Sequence, residues 1–298
     1  MPPTASPAKQ RISRPWRFGR NGGMRCDTAF RLVAGGCLKE VATHHKALRA
    51  GDATALHQTR IALTRLRAAI SFYSPMVADS KWPRLKAELK WLSGYLGAAR
   101  DLDVAIENCR RTVEKQMFRA ARIESQRRLN RALGSARYRR WLNDLSDWIG
   151  NGPWSAIEDP RAIRERESPI SNYHARQLRR WHKKLVKKSR GLQGMGRQKL
   201  HRLRLASKRL RYAIEFSEGA LTKEDFSQWR VTAKHLRSGQ QILGELNDAE
   251  IRRSLAIGLE GPSERASARD LDDVKPLDRK RKNRLLRRAA TVYRKLAD

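Results

Sequence analysis

The sequence predicts an all-α protein made of two homologous helical bundles in one chain. Three observations carry that prediction. Long proline-free stretches are dominated by Ala, Leu, Arg, Lys, Glu and Gln, which favour helix. Alternating β-branched runs of the kind that form strands are missing. A pair of motifs occurs twice in the same order, which fixes architecture before any single motif does.

Taken in order, residues 1–24 carry Pro2, Pro3, Pro7 and Pro15 among arginines and read as a disordered basic tail. Met1 to Gly23 lacks the uninterrupted apolar core of a secretion signal. Helices are expected near 26–49 and 53–74, the second capped by Asp52, which follows Gly51 and can accept an orphan N–H of the first turn. Pro75 and Pro83 punctuate the chain before helical stretches near 82–118, 119–134 and 137–149. Asn151 to Ser168, with Pro153 and Pro160, reads as a loop. After Pro169 helices resume near 170–190, 197–218, 224–260 and 277–297, with Gly191, Gly194 and Gly196 as a connector. The expected division is a tail at 1–24, a bundle at 25–152, a linker at 153–168 and a second bundle at 169–298.

Charge narrows the function. The chain has 65 Lys and Arg against 30 Asp and Glu, a formal net charge of +35, far more than solubility requires. Such a surface attracts a polyanion: nucleic acid, an anionic membrane, or a polymer such as inorganic polyphosphate. No apolar run approaches the length of a membrane span, so membrane association is not expected. Cys26, Cys37 and Cys109, odd in number and without CxxC spacing, read as reduced thiols of a cytoplasmic protein.

The repeat locates the charge. His57-Gln-Thr-Arg60-Ile-Ala-Leu-Thr64-Arg65-Leu-Arg67 matches His201-Arg-Leu-Arg204-Leu-Ala-Ser-Lys208-Arg209-Leu-Arg211, with the His and three Arg in register. About forty residues after each stands a second pair, Leu96-Gly97-Ala-Ala-Arg-Asp101-Leu-Asp103 and Leu243-Gly244-Glu-Leu-Asn-Asp248-Ala-Glu250. At roughly 100° per residue, His57, Arg60, Thr64 and Arg67 share one face, as do His201, Arg204, Lys208 and Arg211. Leu63, Leu66, Ala69 and Ile70, with Leu203, Leu210, Ala213 and Ile214, supply the opposite, packing face. Neither segment contains an acidic residue to offset its cations, so an external anion relieves the repulsion. Each stripe runs roughly 15 Å, long enough for several phosphates, and Arg offers the donor fork phosphate oxygens need. A single basic run is usually a solvated face. A solvated face has no reason to repeat the same residues at the same offsets.

These motif pairs resemble the CHAD family, the conserved histidine α-helical domain, over roughly residues 25–298. The resemblance implies two four-helix bundles related by pseudo-twofold symmetry, with the basic helices facing a shared groove. It implies binding of inorganic polyphosphate and association with polyphosphate granules, without catalysis. By position the binding residues are His57, Arg60, Arg65, Arg67, His201, Arg204, Lys208, Arg209 and Arg211. Arg180 and Lys184, on the neighbouring helix, extend the groove. Thr64 departs from the family's usual basic residue, which points to weaker binding by the first half.

The histidines serve equally well as packing hydrogen bonders, or as groups that take up protons when phosphate arrives. Asp101, Asp103 and Asp248 pair with basic side chains rather than hold a metal. Trp91, Trp141, Trp148, Trp181 and Trp229 are core or interface residues. A polyphosphate-processing enzyme needs a carboxylate cluster for metal or a nucleophile with its base, and neither is visible, so no catalytic residue, metal or cofactor is expected. Nonspecific nucleic-acid binding stays as the alternative, although zinc-finger, RRM, KH and basic-zipper signatures are missing.

Overall fold

The computed structural model describes residues 18, 23–109, 112–259 and 278–297. Among these there is no strand, only one isolated bridge between Arg25 and Pro169. The first half contains α1 (Cys26–Thr43), α2 (His45–Arg49), α3 (Ala53–Phe72), α4 (Ser74–Val77), α5 (Trp82–Asn108), α6 (Thr112–Gly134) and α7 (Ala136–Asn151). The second contains α8 (Pro160–Glu167), α9 (Ile170–Ser189), α10 (Arg197–Ser217), α11 (Lys223–Leu259) and α12 (Arg279–Arg294).

The sequence signals explain most of the boundaries. Asp52 caps α3 as expected, accepting the Ala55 N–H at 2.7 Å, and Gly51 enters that turn at φ +86°, where a side chain would be strained. Two expectations need correction. The run expected to continue through 118 ends at Asn108, because Cys109 turns extended and α6 starts afresh at Thr112. No proline or glycine marks that break. The loop expected from Asn151 to Ser168 instead holds a 3-10 turn at Pro153–Ala156 and the whole of α8. Pro160 starts that helix at its first position, behind an Asp159 cap on Arg161 and Ala162. The segment is packed down: Trp154 is fully buried, meets the Phe30 ring edge-on at 5.2 Å and donates to the Trp148 carbonyl at 2.7 Å. The expectations for residues 1–17 and 261–276 fall outside the described residues.

Packing joins the halves. In the first, α1, α3, α5 and α7 close a ring of neighbours with α6 lying along α5. In the second, α9, α10, α11 and α12 do the same. Across the middle, α3 packs on α10 and α5 on α11. One apolar cluster runs from Cys26 to Leu296, so both halves share a core. Trp141 and Trp148 lie inside it, and Trp229 is also buried. None of the three cysteines is in a disulfide.

The joint also contains a buried polar chain. Ser217 Oγ donates to the Ala213 carbonyl at 2.8 Å, so it accepts from His174 Nδ1, also at 2.8 Å. His174 Nε2 is then an acceptor for the Tyr73 hydroxyl at 2.7 Å. Burial holds the imidazole neutral by pushing its pKa down to about 3. Every member of this chain is satisfied, which ties α3, α9 and α10 together in one register.

Candidate polyanion-binding site

The apolar faces read from the repeat are where they were expected. Leu63, Leu66, Ala69, Ile70, Leu203, Leu210, Ala213 and Ile214 are all buried. Their burial seats α3 against α10, with α5 and α11 alongside, and leaves Arg60, Arg204 and Lys208 within electrostatic reach of one another along a seam. Across that seam Arg60 feels the charge of Arg204, and Lys208 feels those of Arg204, Arg60 and Arg211. Arg67 in turn feels Arg209 and Arg60.

Arg60, Arg204 and Lys208 are half-buried, yet none makes a side-chain hydrogen bond or ion pair to any described residue. The Arg204 Nε is buried without a partner. Other arginines of similar burial are paired: Arg122 binds Asp103 at 2.7 Å, and Arg211 bonds Gln240 at 3.1 Å and pairs with Glu215. Unpaired, partly desolvated cations facing one another are costly in isolation. The cost is visible in their titration. Desolvation first, then Arg204, Arg60 and Arg211, push the Lys208 ammonium down to about 8, with Asp248 opposing. Desolvation likewise penalises the charges of Arg60 and Arg67. His57 is exposed by surface area, but its imidazolium is still disfavoured by lost water, Arg100 and Arg60.

The second repeated motif explains how the arginines fit. An added Cβ at Gly97 would lie 3.2 Å from Arg60 Nη1, and one at Gly244 would lie 3.9 Å from Arg204 Nη2. The Leu-Gly pairs therefore leave the helix surface bare where each guanidinium rests. Asp101, four residues on, is electrostatically coupled to Arg60, Arg100, Arg204 and Asp248, and its carboxyl is pushed up by desolvation despite those arginines. Among the described residues no three His, Cys, Asp or Glu gather as a metal site. The sequence reading had missed the glycines' role, although the repeat itself marked them.

These contacts give a mutational expectation. Gly97→Ala should stabilise α5, since Ala is favoured over Gly in a helix interior by about 1 kcal/mol, while forcing the Arg60 guanidinium to shift. Anion affinity should fall about threefold to tenfold, equivalent to roughly 1 kcal/mol, whereas Gly244→Ala should change it less than about twofold. Thermal melts and anion titrations of the two variants check this, and equal effects would separate the glycines from the arginines.

The remaining site residues are distributed unevenly. Thr64 donates back to the Arg60 carbonyl at 2.7 Å and presents no cation to the seam. Arg67 is half-buried and donates to the Leu89 carbonyl at 2.7 Å. His201 is exposed and borders, with Arg204, a cleft of about 760 Å³ between α10 and α11. Arg180 and Lys184 line a separate pocket of about 300 Å³ together with Arg209.

Arg65 requires correction. Its side chain is only 2% exposed, held by Glu40 at 3.4 Å and Glu215 at 3.5 Å, with Tyr212 beside its guanidinium. An external anion cannot reach a group so enclosed. Its task is to join α1, α3 and α10, and its repeat counterpart Arg209 is exposed.

Comparison with known proteins places this geometry. A family model described as the CHAD domain matches residues 33–256. Among solved structures, the chain is similar to the CHAD domain from the plant Ricinus communis, with TM-score 0.74 and 23% identity over 94% of this chain and 91% of that one. It is also similar to PptA from Streptomyces chartreusis, with TM-score 0.57 and 15% identity over 92% of this chain and 97% of that one. At those identities the likeness concerns the fold. No curated protein sequence matches.

Proposed function

The chain belongs to the CHAD domain family, and from that premise we propose that it binds inorganic polyphosphate along the seam between α3 and α10. The observation that carries the reading is the set Arg60, Arg204 and Lys208, partly desolvated and without a hydrogen bond or ion pair among the described residues. A linear polyanion supplies what this seam lacks: closely spaced phosphates that accept from two guanidinium forks and neutralise the ammonium between them. The pairing of α3 with α10 and of α5 with α11 supports a pseudo-twofold arrangement in which the repeated stripes meet on one ligand. The role is binding rather than turnover, in the cytoplasm and on polyphosphate granules.

Nonspecific nucleic-acid binding is the competing reading, because a net charge of +35 draws any polyanion at low salt. Competition separates the two. Long-chain polyphosphate should displace labelled duplex DNA from the protein at about 0.15 M salt, with DNA failing to displace polyphosphate. Equal competition in both directions would leave only a general basic surface.

Titration of Lys208 gives the reading a pH signature. The bound phosphates favour the ammonium, so binding raises a pKa that the empty seam holds at about 8. Above that pH, binding must take up a proton. Affinity should therefore be flat just below about 8 and fall as pH rises beyond it, and Lys208→Arg, which stays charged, should flatten the curve. His57, held below its ordinary value, adds a smaller gain on acidification. A wild-type profile that stays level across the alkaline range would rule out Lys208 as a ligand-contacting group.

A further inference from the structure

The pocket of about 300 Å³ bounded by α9, α10 and the end of α3 differs from the seam in its chemistry. Arg180, Lys184 and Lys188 approach it from α9 at spacings of four, and Arg209 approaches from α10. None of its lining residues is acidic. These four cations suit a ligand with several phosphate charges. The rest of the lining does not suit an inorganic chain. Trp181, Leu185 and Leu210 give it an apolar side, and Trp181 is held edge-on against Phe72 at a ring separation of 5.4 Å.

The decisive group is Gln177. Its side chain is only 5% exposed, it lines this pocket, and its carboxamide has no hydrogen-bond partner among the described residues. A ligand able both to donate and to accept would give this carboxamide, which faces the pocket, the partners it lacks within the protein. Phosphate oxygens only accept. The edge of a nucleobase offers a donor beside an acceptor, and its planar ring suits an indole wall.

We propose that this pocket is a second site, which binds a nucleoside polyphosphate with its phosphates on Arg180, Lys184, Lys188 and Arg209 and its base against Trp181 and Gln177. The pocket volume stands at the lower end of small-ligand sites, so it encloses the base and the first phosphates and leaves the last phosphate at the mouth. Arg209 is electrostatically coupled to Arg67 at the seam's edge, so the two sites adjoin without sharing Gln177 or Trp181.

Calorimetric titration of the full chain with ATP, GTP and inorganic tripolyphosphate tests the proposal. With the seam disabled by Arg60→Ala/Arg204→Ala, the protein should bind ATP or GTP at one site per chain, at least about tenfold tighter than tripolyphosphate. Gln177→Leu, with its melting temperature measured as a check on folding, should lose about tenfold in nucleotide affinity and leave tripolyphosphate unchanged. The exposed Arg209→Ala should weaken all three ligands without touching the core. The double variant Arg60→Ala/Arg204→Ala should keep nucleotide binding, which separates this site from the polyphosphate seam. The proposal is overturned if neither nucleotide binds, if tripolyphosphate binds the seam variant as tightly as both nucleotides do, if Gln177→Leu affects all ligands alike, or if the seam variant loses the nucleotide.

Discussion

Replacing Arg60 and Arg204 together by alanine should lower affinity for long-chain polyphosphate by more than about a hundredfold at near-physiological salt, while leaving the protein at least as stable as before. The size follows from the contacts. A hydrogen bond to a charged group contributes about 1.5–3 kcal/mol, so losing both guanidinium forks removes at least about 3 kcal/mol, and about 1.4 kcal/mol is tenfold. The absence of a stability penalty follows from the same geometry. Neither side chain hydrogen-bonds or ion-pairs with a described residue, and at Arg60 the attraction of Asp101 is opposed by lost water and by the charges of Arg100 and Arg204. A general basic surface behaves differently, because removing two of 65 cations would scarcely change its affinity. Equilibrium binding and thermal melts of the double variant decide between these outcomes, and an affinity within about twofold of wild type would eliminate the seam.

The second large effect is the inverse: Arg65→Ala should cost about 3–5 kcal/mol of stability, because it strands Glu40 inside the protein and leaves Glu215 with Arg211 as its one remaining arginine. Glu40 and Glu215 stand 3.4 and 3.5 Å from different guanidinium nitrogens, and desolvation already pushes the Glu40 carboxyl upward. For a chain of this size the loss corresponds to a melting temperature lower by about 10 °C. Arg65→Lys should rescue little, since one ammonium cannot reach both carboxylates as the fork does. Arg209→Ala, at the matching repeat position but exposed, should change stability by less than about 0.5 kcal/mol. Denaturant unfolding of the three variants measures the contrast, and an Arg65→Ala protein as stable as wild type would contradict the structural role given to this residue.

The contrast between Arg65 and Arg209 also marks how far the sequence could be read. Helix positions and their packing faces were legible because leucines and alanines recur at helical spacing, and because Asp52 stands at a cap. The repeat names Arg60, Arg204 and Lys208 among its basic residues, and the structure puts these three within electrostatic reach of one another. Helical geometry also contained the clue to Arg65, which stands roughly 140° from Arg60 around α3 and so points away from the stripe. Arg209 has the same offset from Arg204 and lines the neighbouring pocket. What separates the pair is tertiary: α3 is covered on that side by α1, which brings Glu40, and no local pattern announces such a neighbour. The same holds for the break at Cys109, which no glycine or proline signals. In contrast, α8 was legible in principle. Asp159 followed by Pro160 is a helix start, although a proline equally ends a helix when it follows one. The repeated Leu-Gly pairs were visible as a pattern, but their use, to clear space for an arginine on another helix, appears only once α5 is laid beside α3.

The measurement that tests the central claim most directly is a structure of the protein bound to polyphosphate of defined length at about physiological salt. The account predicts phosphate groups between Arg60, Arg204 and Lys208, with Gly97 and Gly244 behind the two guanidinium groups. Phosphate confined to the outer faces of α9 or α12, with the seam between α3 and α10 empty, would contradict it.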